Sequence, residues 1–313
     1  MRPQIPSCLV RTLALAGGLL ACTPWVSAAA GGIVALLSHD APAYQEALAG
    51  FREHLGVTAG ALPLEVVALG GDPEKARTAV QRAVDAEARL ILAAGSTAVE
   101  AAWAQTQVPV VATLVLDLSG LPPGPRATGV SLAIPPGVQL GWLKRLLPGR
   151  TRIGVLYTPQ ENAALVEEIR ELARTAGLEV VAQEVRSPKD LPGALEALGR
   201  RADVLWGLPD SAVYTARTAK AILLFSFRNR IPLVGLSDAW VKAGALYALE
   251  PDYRDLGAQS AELAAQLLDR PGAPAPAPAA PRNARLSVSL KTARQMKLDL
   301  PEALVRGART VHE

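Results

Sequence analysis

Residues 89–102 read RLILAAGSTAVEAA. After its arginine, Arg89–Ala93 is a short continuous apolar run, the pattern of a strand covered on both faces rather than of one half exposed to water. Thr97–Gln105 then reads as a helix. Gly95-Ser96-Thr97 lies between the two as a small, polar turn. The segment is a single strand-turn-helix unit, and the chain on either side of it repeats the unit.

Upstream and just downstream, Ile33–Leu37, Leu64–Leu69 and Val108–Ala112 read as strands of the same kind. Tyr44–Leu55 and Pro73–Ala86 read as helices, the second announced by Asp72-Pro73, a capping residue followed by proline at the first helical position. The order then returns. Arg152–Tyr157, Leu178–Val185, Asp203–Gly207 and Ile231–Leu236 read as strands, and Glu161–Thr175, Lys189–Arg200 and Val213–Asn229 as helices. Leu64-Glu65-Val66-Val67-Ala68 even recurs as Leu178-Glu179-Val180-Val181-Ala182, each time in the second strand of its half. The matching order of elements predicts two similar α/β lobes with parallel sheets. A further strand is expected at Gly244–Leu249, a helix at Tyr253–Leu268, a proline-rich extended linker at Pro271–Pro281, and a last strand and short helix at Leu286–Leu290 and Lys291–Lys297, returning across the junction of the lobes. The boundaries expected are 31–129 plus 247–284 for lobe 1 and 130–246 plus 285–313 for lobe 2. The cleft lies between them, with Gly129–Ser131 and Gly244–Leu246 as hinge strands.

The 313 residues are half hydrophobic and 19% charged, a globular composition. Two of the basic residues, Arg2 and Arg11, precede the apolar run Leu13–Ala21, and Val26–Ala30 offers small residues to a peptidase. Residues 1–30 therefore read as a cleaved secretory leader. A competing reading has lipoprotein processing at Leu19-Leu20-Ala21-Cys22, with Cys22 carrying the lipid. Either way the expected location is the periplasm, free or lipid-anchored. Cys8 and Cys22 are the only cysteines, so the mature chain has no thiol chemistry and no disulfide. Without the leader the charge is close to neutral, which gives no electrostatic reason to expect a nucleic-acid partner.

Ligands of open parallel sheets sit beyond the carboxyl ends of the strands, and a cleft between two such sheets is a natural small-molecule site. That rule selects Ser38, His39, Gly95, Ser96, Thr97, Thr113, Asp117, Tyr157, Asp210, Ser211, Ser237 and Asp238 as candidate ligand contacts, with Tyr44 and Trp240 able to stack. Backbone N–H groups and hydroxyls at Gly95-Ser96-Thr97 would suit a carboxylate, and Asp210-Ser211 an ammonium. The competing reading at both places is helix capping. Trp103 and Trp142 fall on apolar helix faces and read as core. No phosphate loop, dinucleotide fingerprint, nucleophile elbow or clustered metal-ligand spacing occurs. No enzyme activity, cofactor or metal is expected, and the chain is expected to be a monomer.

Four stretches carry a resemblance. They are residues 89–102 with Val108-Pro109-Val110, Thr128-Gly129-Val130-Ser131, Lys242–Gly257 (KAGALYALEPDYRDLG) and Ser289–Pro301 (SLKTARQMKLDLP). In this order they resemble the ABC-transporter substrate-binding proteins of the TrpX/YtrX-like type, from about Gly32 to the end. The resemblance implies two Rossmann-like lobes in the type I periplasmic-binding-protein ("Venus-flytrap") architecture, hinge closure on a small ligand such as an amino acid, and delivery to an ABC permease with a separate ATPase subunit. It also implies ligand contacts at Ser96, Thr97, Asp210 and Ser211. The chain differs from the family pattern at Leu116-Asp117-Leu118 and at Leu132. Two other readings stand beside it. One is a sensory or partner-docking binding protein that feeds a membrane receptor, and the other an exported hydrolase.

Overall fold

The computed structural model describes residues 31–58, 62–120 and 126–313. The expected leader, residues 1–30 with Cys8 and Cys22, lies outside them. No helix among the described residues is long and apolar enough to cross a membrane.

The first half is built from β1 (Ile33–Leu37), α1 (Pro42–Thr58), β2 (Leu64–Ala68), α2 (Pro73–Asp85), β3 (Leu90–Ala94), α3 (Ser96–Gln105), β4 (Val110–Thr113) and β5 (Ala127–Val130). Its five strands are all parallel, in the order β2-β1-β3-β4-β5. One face is buried under α1, the other under α2 and α3. This is why β1 and β3 are buried at every position: a parallel sheet covered on both sides has no wet face to alternate toward.

The second half follows with α4 (Pro136–Leu146), β6 (Arg152–Tyr157), α5 (Pro159–Thr175), β7 (Glu179–Glu184), α6 (Leu191–Gly199), β8 (Val204–Trp206), α7 (Ala219–Asn229), β9 (Leu233–Gly235), α8 (Asp238–Ala243) and β10 (Tyr247–Pro251). After α9 (Tyr253–Asp269) come β11 (Ala284–Ser289), α10 (Leu290–Met296), α11 (Glu302–Arg306) and β12 (Thr310–His312). The second sheet has the order β12-β11-β10-β9-β8-β6-β7. β10 and β11 are antiparallel, and the remaining neighbours are parallel. Here α4, α5 and the tail cover one face and α6 and α7 the other. The chain is thus two parallel-sheet α/β lobes of the type I periplasmic-binding-protein fold.

Three details differ from the sequence reading. The strand expected at Gly244–Leu249 starts at Tyr247 and belongs to the second sheet, where it pairs with β9, so residues 247–251 are not part of lobe 1. Gly244–Leu246 is accordingly no hinge: Ala245 and Leu246 are buried inside lobe 2, and Leu246 N–H bonds Leu233 O. The tail strand, expected in lobe 2, pairs antiparallel with β10 in the second sheet. The chain passes between lobes near residue 131, where Leu132 packs in lobe 1 and Ile134 in lobe 2. It passes again between β10 and α9, which packs on α1 and the first sheet. The last crossing lies between Ala279, bridged to Val130, and β11. α7 begins six residues later than expected, because the Thr218 hydroxyl bonds Val213 O and Thr215 O and holds the chain in turns.

Candidate ligand-binding site

In the first sheet the strand order reverses direction between β1 and β3. The chain leaves β1 toward α1 on one face and leaves β3 toward α3 on the other. Such a switch point opens a crevice at the carboxyl ends of the strands. Ser38, His39 and Gly95 stand there. Backbone bonds pin the edge together: Ser38 N–H to Ala94 O, Gly71 N–H to Ser38 O, and Gly95 N–H to Thr113 O.

The start of α3 is capped from a distance. Gly95 occupies the capping position and has no side chain to use. The Ser38 hydroxyl, 1% exposed, accepts the Ala98 N–H instead, at 3.0 Å. Ser96 and Thr97 are the first two helical residues and cap nothing, and their own N–H groups have no acceptor among the described residues. The positive end of the helix dipole therefore emerges at the crevice with two donors open. Gly95 has φ +84°, and a Cβ there would lie 2.5 Å from the Tyr44 hydroxyl oxygen and 2.8 Å from Ser38 Oγ. Only glycine fits between them. The exposed His39 ring stands edge-on to Tyr44, centroids 5.9 Å apart, and burial raises the Tyr44 hydroxyl pKa. Thr113 is buried at the end of β4, and its hydroxyl has no partner among the described residues.

The second sheet has its switch point between β6 and β8, and here the edge is closed rather than open. The Asp210 carboxylate, 7% exposed, accepts from Thr158 N–H at 2.7 Å, Thr158 Oγ1 at 3.0 Å, Asn162 Nδ2 at 3.0 Å, and the Ala212 and Val213 N–H groups at 3.0 and 2.9 Å. Five donors fill the lone pairs of one carboxylate. Burial pushes its pKa up, but these bonds outweigh it and hold the group below the usual range. Asp210 therefore ties the loops after β6 and β8 together and has no lone pair left for a ligand ammonium. Ser211 donates its N–H to Glu161 Oε2 at 2.9 Å and its hydroxyl to the same carboxylate.

The remaining candidates divide. Tyr157 is buried at the end of β6, its carbonyl taken by Val185 N–H. Asp117 turns onto its own loop, where hydrogen bonds from the Ser119 hydroxyl and N–H lower its pKa. Ser237 caps α8 through its carbonyl. Asp238 meets His312 Nε2 at 2.8 Å and donates its N–H to Glu250 Oε2. Trp240 packs within lobe 2, edge-on to Tyr214 and beside Gly235, where an added Cβ would lie 2.7 Å from the Trp240 Cβ. The indole remains partly exposed.

Glu250 is not among the candidates, although a strand ending at Leu249 makes it the next residue; in the structure it lies within β10, near that strand's carboxyl end. Glu250 accepts from the Tyr253 hydroxyl, whose pKa is pushed up to about 12 by burial and by this carboxylate. Nearby, Arg309 of the tail reaches Glu46 of α1 at 2.9 Å, an ion pair from one lobe to the other. Nothing in the local sequence of either residue signals it.

A family model described as ABC transporter substrate binding protein matches residues 32–312. A "Tyrosine-binding protein" of Clostridioides difficile is 27% identical over 190 residues, which is 58% of this chain; the match spans about half of that relative's length, 54%. Among solved structures, the ligand-free, open form of a substrate-binding protein with adhesive properties from Clostridium difficile superposes with a TM-score of 0.75 at 20% identity, over 90% of this chain and 98% of that one. An ABC domain from Streptococcus pneumonia in complex with L-Trp gives 0.62 at 22% identity, over 90% and 99%. These structural likenesses speak for the fold alone.

Proposed function

Since this chain belongs to the ABC transporter substrate binding protein family, we propose that it binds a small polar solute, an amino acid or related metabolite, in the cleft between its lobes. On this reading it is exported to the periplasm and passes the solute to an ABC permease with a separate ATPase subunit. It has no catalysis of its own. The observation that carries the reading is the open first turn of α3. The Ser96 and Thr97 amides, unpartnered among the described residues, would receive the ligand carboxylate as the helix dipole favours. Tyr44 and His39 would form an aromatic wall beside it. The relative described as tyrosine-binding lends support to an amino-acid ligand.

Because Asp210 is fully used inside lobe 2, the ligand ammonium would turn elsewhere; Glu250, on the carboxyl edge of the second sheet, has the charge for it. Closure would follow from contacts made with both lobes at once, since a ligand favours whichever form it touches more. Purified protein should show a thermal shift and a calorimetric signal with one or a few of the twenty amino acids, or carry such a solute from expression, identifiable by mass spectrometry after denaturation. Absence of both would overturn the binding reading.

A further inference from the structure

We propose that the trough along the α7–α8 edge of the second lobe is a docking surface for an amphipathic, acidic segment of a partner protein. The trough encloses about 870 Å³ between α7, α8, α10 and β12. Its wall holds three of the five large apolar side chains that are most exposed among the described residues: Leu224 (41%), Phe227 (49%) and Val311 (38%). Leu224 and Phe227 are three residues apart and share one stripe of α7. Water-exposed apolar groups gathered in one concavity mark an interaction site more than a packing remainder.

The charges around the trough select the partner. Lys220, Lys242 and Lys291 line it; none of the three has a salt-bridge partner within 4 Å among the described residues, and Lys242 acts on Asp238 only at longer range, helping to lower that carboxyl's pKa. Of the acidic groups, Glu313 lines the trough but is paired with Arg294 at 3.3 Å, and Asp238 beside it meets His312 at 2.8 Å, so three lysines face one paired carboxylate in the lining. The rim is therefore cationic and the floor apolar. A helical or extended segment with carboxylates beside Leu- or Phe-like side chains complements both. A second copy of this chain does not, because a two-fold contact would set lysines against lysines. A bilayer surface calls for protruding apolar anchors, and this site is recessed. α7 has 11 residues, so the groove offers about 16 Å of helix to such a segment.

Labelled 16-residue peptides give the test by fluorescence anisotropy. One carries Glu and Leu at helical spacing, a second has Lys in place of Glu, and a third has Ser in place of Leu. The Glu/Leu peptide should bind at least tenfold more tightly than either control. The triple variant Lys220→Glu, Lys242→Glu, Lys291→Glu should reverse the preference toward the Lys/Leu peptide, and Phe227→Ser should weaken both by at least fivefold. Circular dichroism and the thermal midpoint verify that each variant is folded. Equal binding of the three peptides, or a charge-reversed variant with unchanged preference, overturns the proposal. Lysine-dependent binding to phosphatidylglycerol vesicles without peptide discrimination, or Phe227-dependent dimerisation in sedimentation, overturns it in favour of a membrane or a second copy. All of these readouts are independent of solute binding in the cleft.

Discussion

Gly50 of α1 and Gly257 of α9 let two helices lie backbone against backbone, each standing over a carbonyl of the other. A Cβ on Gly50 would be 1.9 Å from Arg254 O, and one on Gly257 would be 1.9 Å from Ala47 O. The pair fixes α9 on lobe 1 immediately after the chain has crossed from lobe 2, so helix packing and lobe connectivity depend on the same two residues. Gly50→Ala or Gly257→Ala should destabilise the protein by about 1–3 kcal/mol through overpacking. Gly141→Ala, in α4 with open space around it, should instead gain up to about 1 kcal/mol from helix propensity. Urea unfolding of the three variants decides; equal effects at all three sites would refute the backbone contact.

Asp210 holds the second switch point closed with five donors. Replacing it with alanine leaves buried N–H groups of Thr158 and Val213 unpaired, at about 1–3 kcal/mol for each group left unsatisfied. The sign with pH follows from its lowered pKa. Such a group adds stability above its unfolded value, about 3.9, and the contribution is lost as pH falls through the lower folded value. The stability gap between wild type and Asp210→Asn should thus be full at pH 7 and shrink only below the ordinary carboxylate range. A gap that widens on acidification would contradict the assignment.

Ser38 and Ser96 separate capping from ligand contact. Ser38→Ala removes the acceptor of the Ala98 N–H and should cost about 1 kcal/mol, as a lost helix cap does. Ser96 is exposed and caps nothing, so Ser96→Ala should stay within about 0.5 kcal/mol in thermal unfolding while weakening solute affinity through the lost hydroxyl, the second donor this residue offers a carboxylate beside its retained amide. The reverse ranking in stability would place the cap at Ser96.

The Arg309–Glu46 pair joins the lobes with both side chains about one-third exposed. A double-mutant cycle of Arg309→Gln and Glu46→Gln should give a coupling of about 0.2–1 kcal/mol at low salt. The coupling should fall in 0.5 M NaCl, where the screening length is shorter than at physiological ionic strength. A coupling unchanged by salt would mean that the two groups are not paired in solution.

The two parallel-sheet lobes, the strand-turn-helix unit at residues 89–102 and the edge on which the crevice opens are legible in the chain, because apolar runs, helix periodicity and turn residues are local signals. The family, too, was legible in the ordered motifs. Tertiary structure alone decided which polar groups remain free. Ser38 caps a helix sixty residues away, and Asp210 is filled by donors from Thr158 and Asn162, about fifty residues back. Nor did local pattern show that β10 sits in the second sheet or that Gly50 meets α9, since pairing and close packing are contacts between distant segments. The residue type tells whether a side chain can accept a hydrogen bond. Whether its lone pairs are already taken depends on which parts of the chain the fold brings beside it.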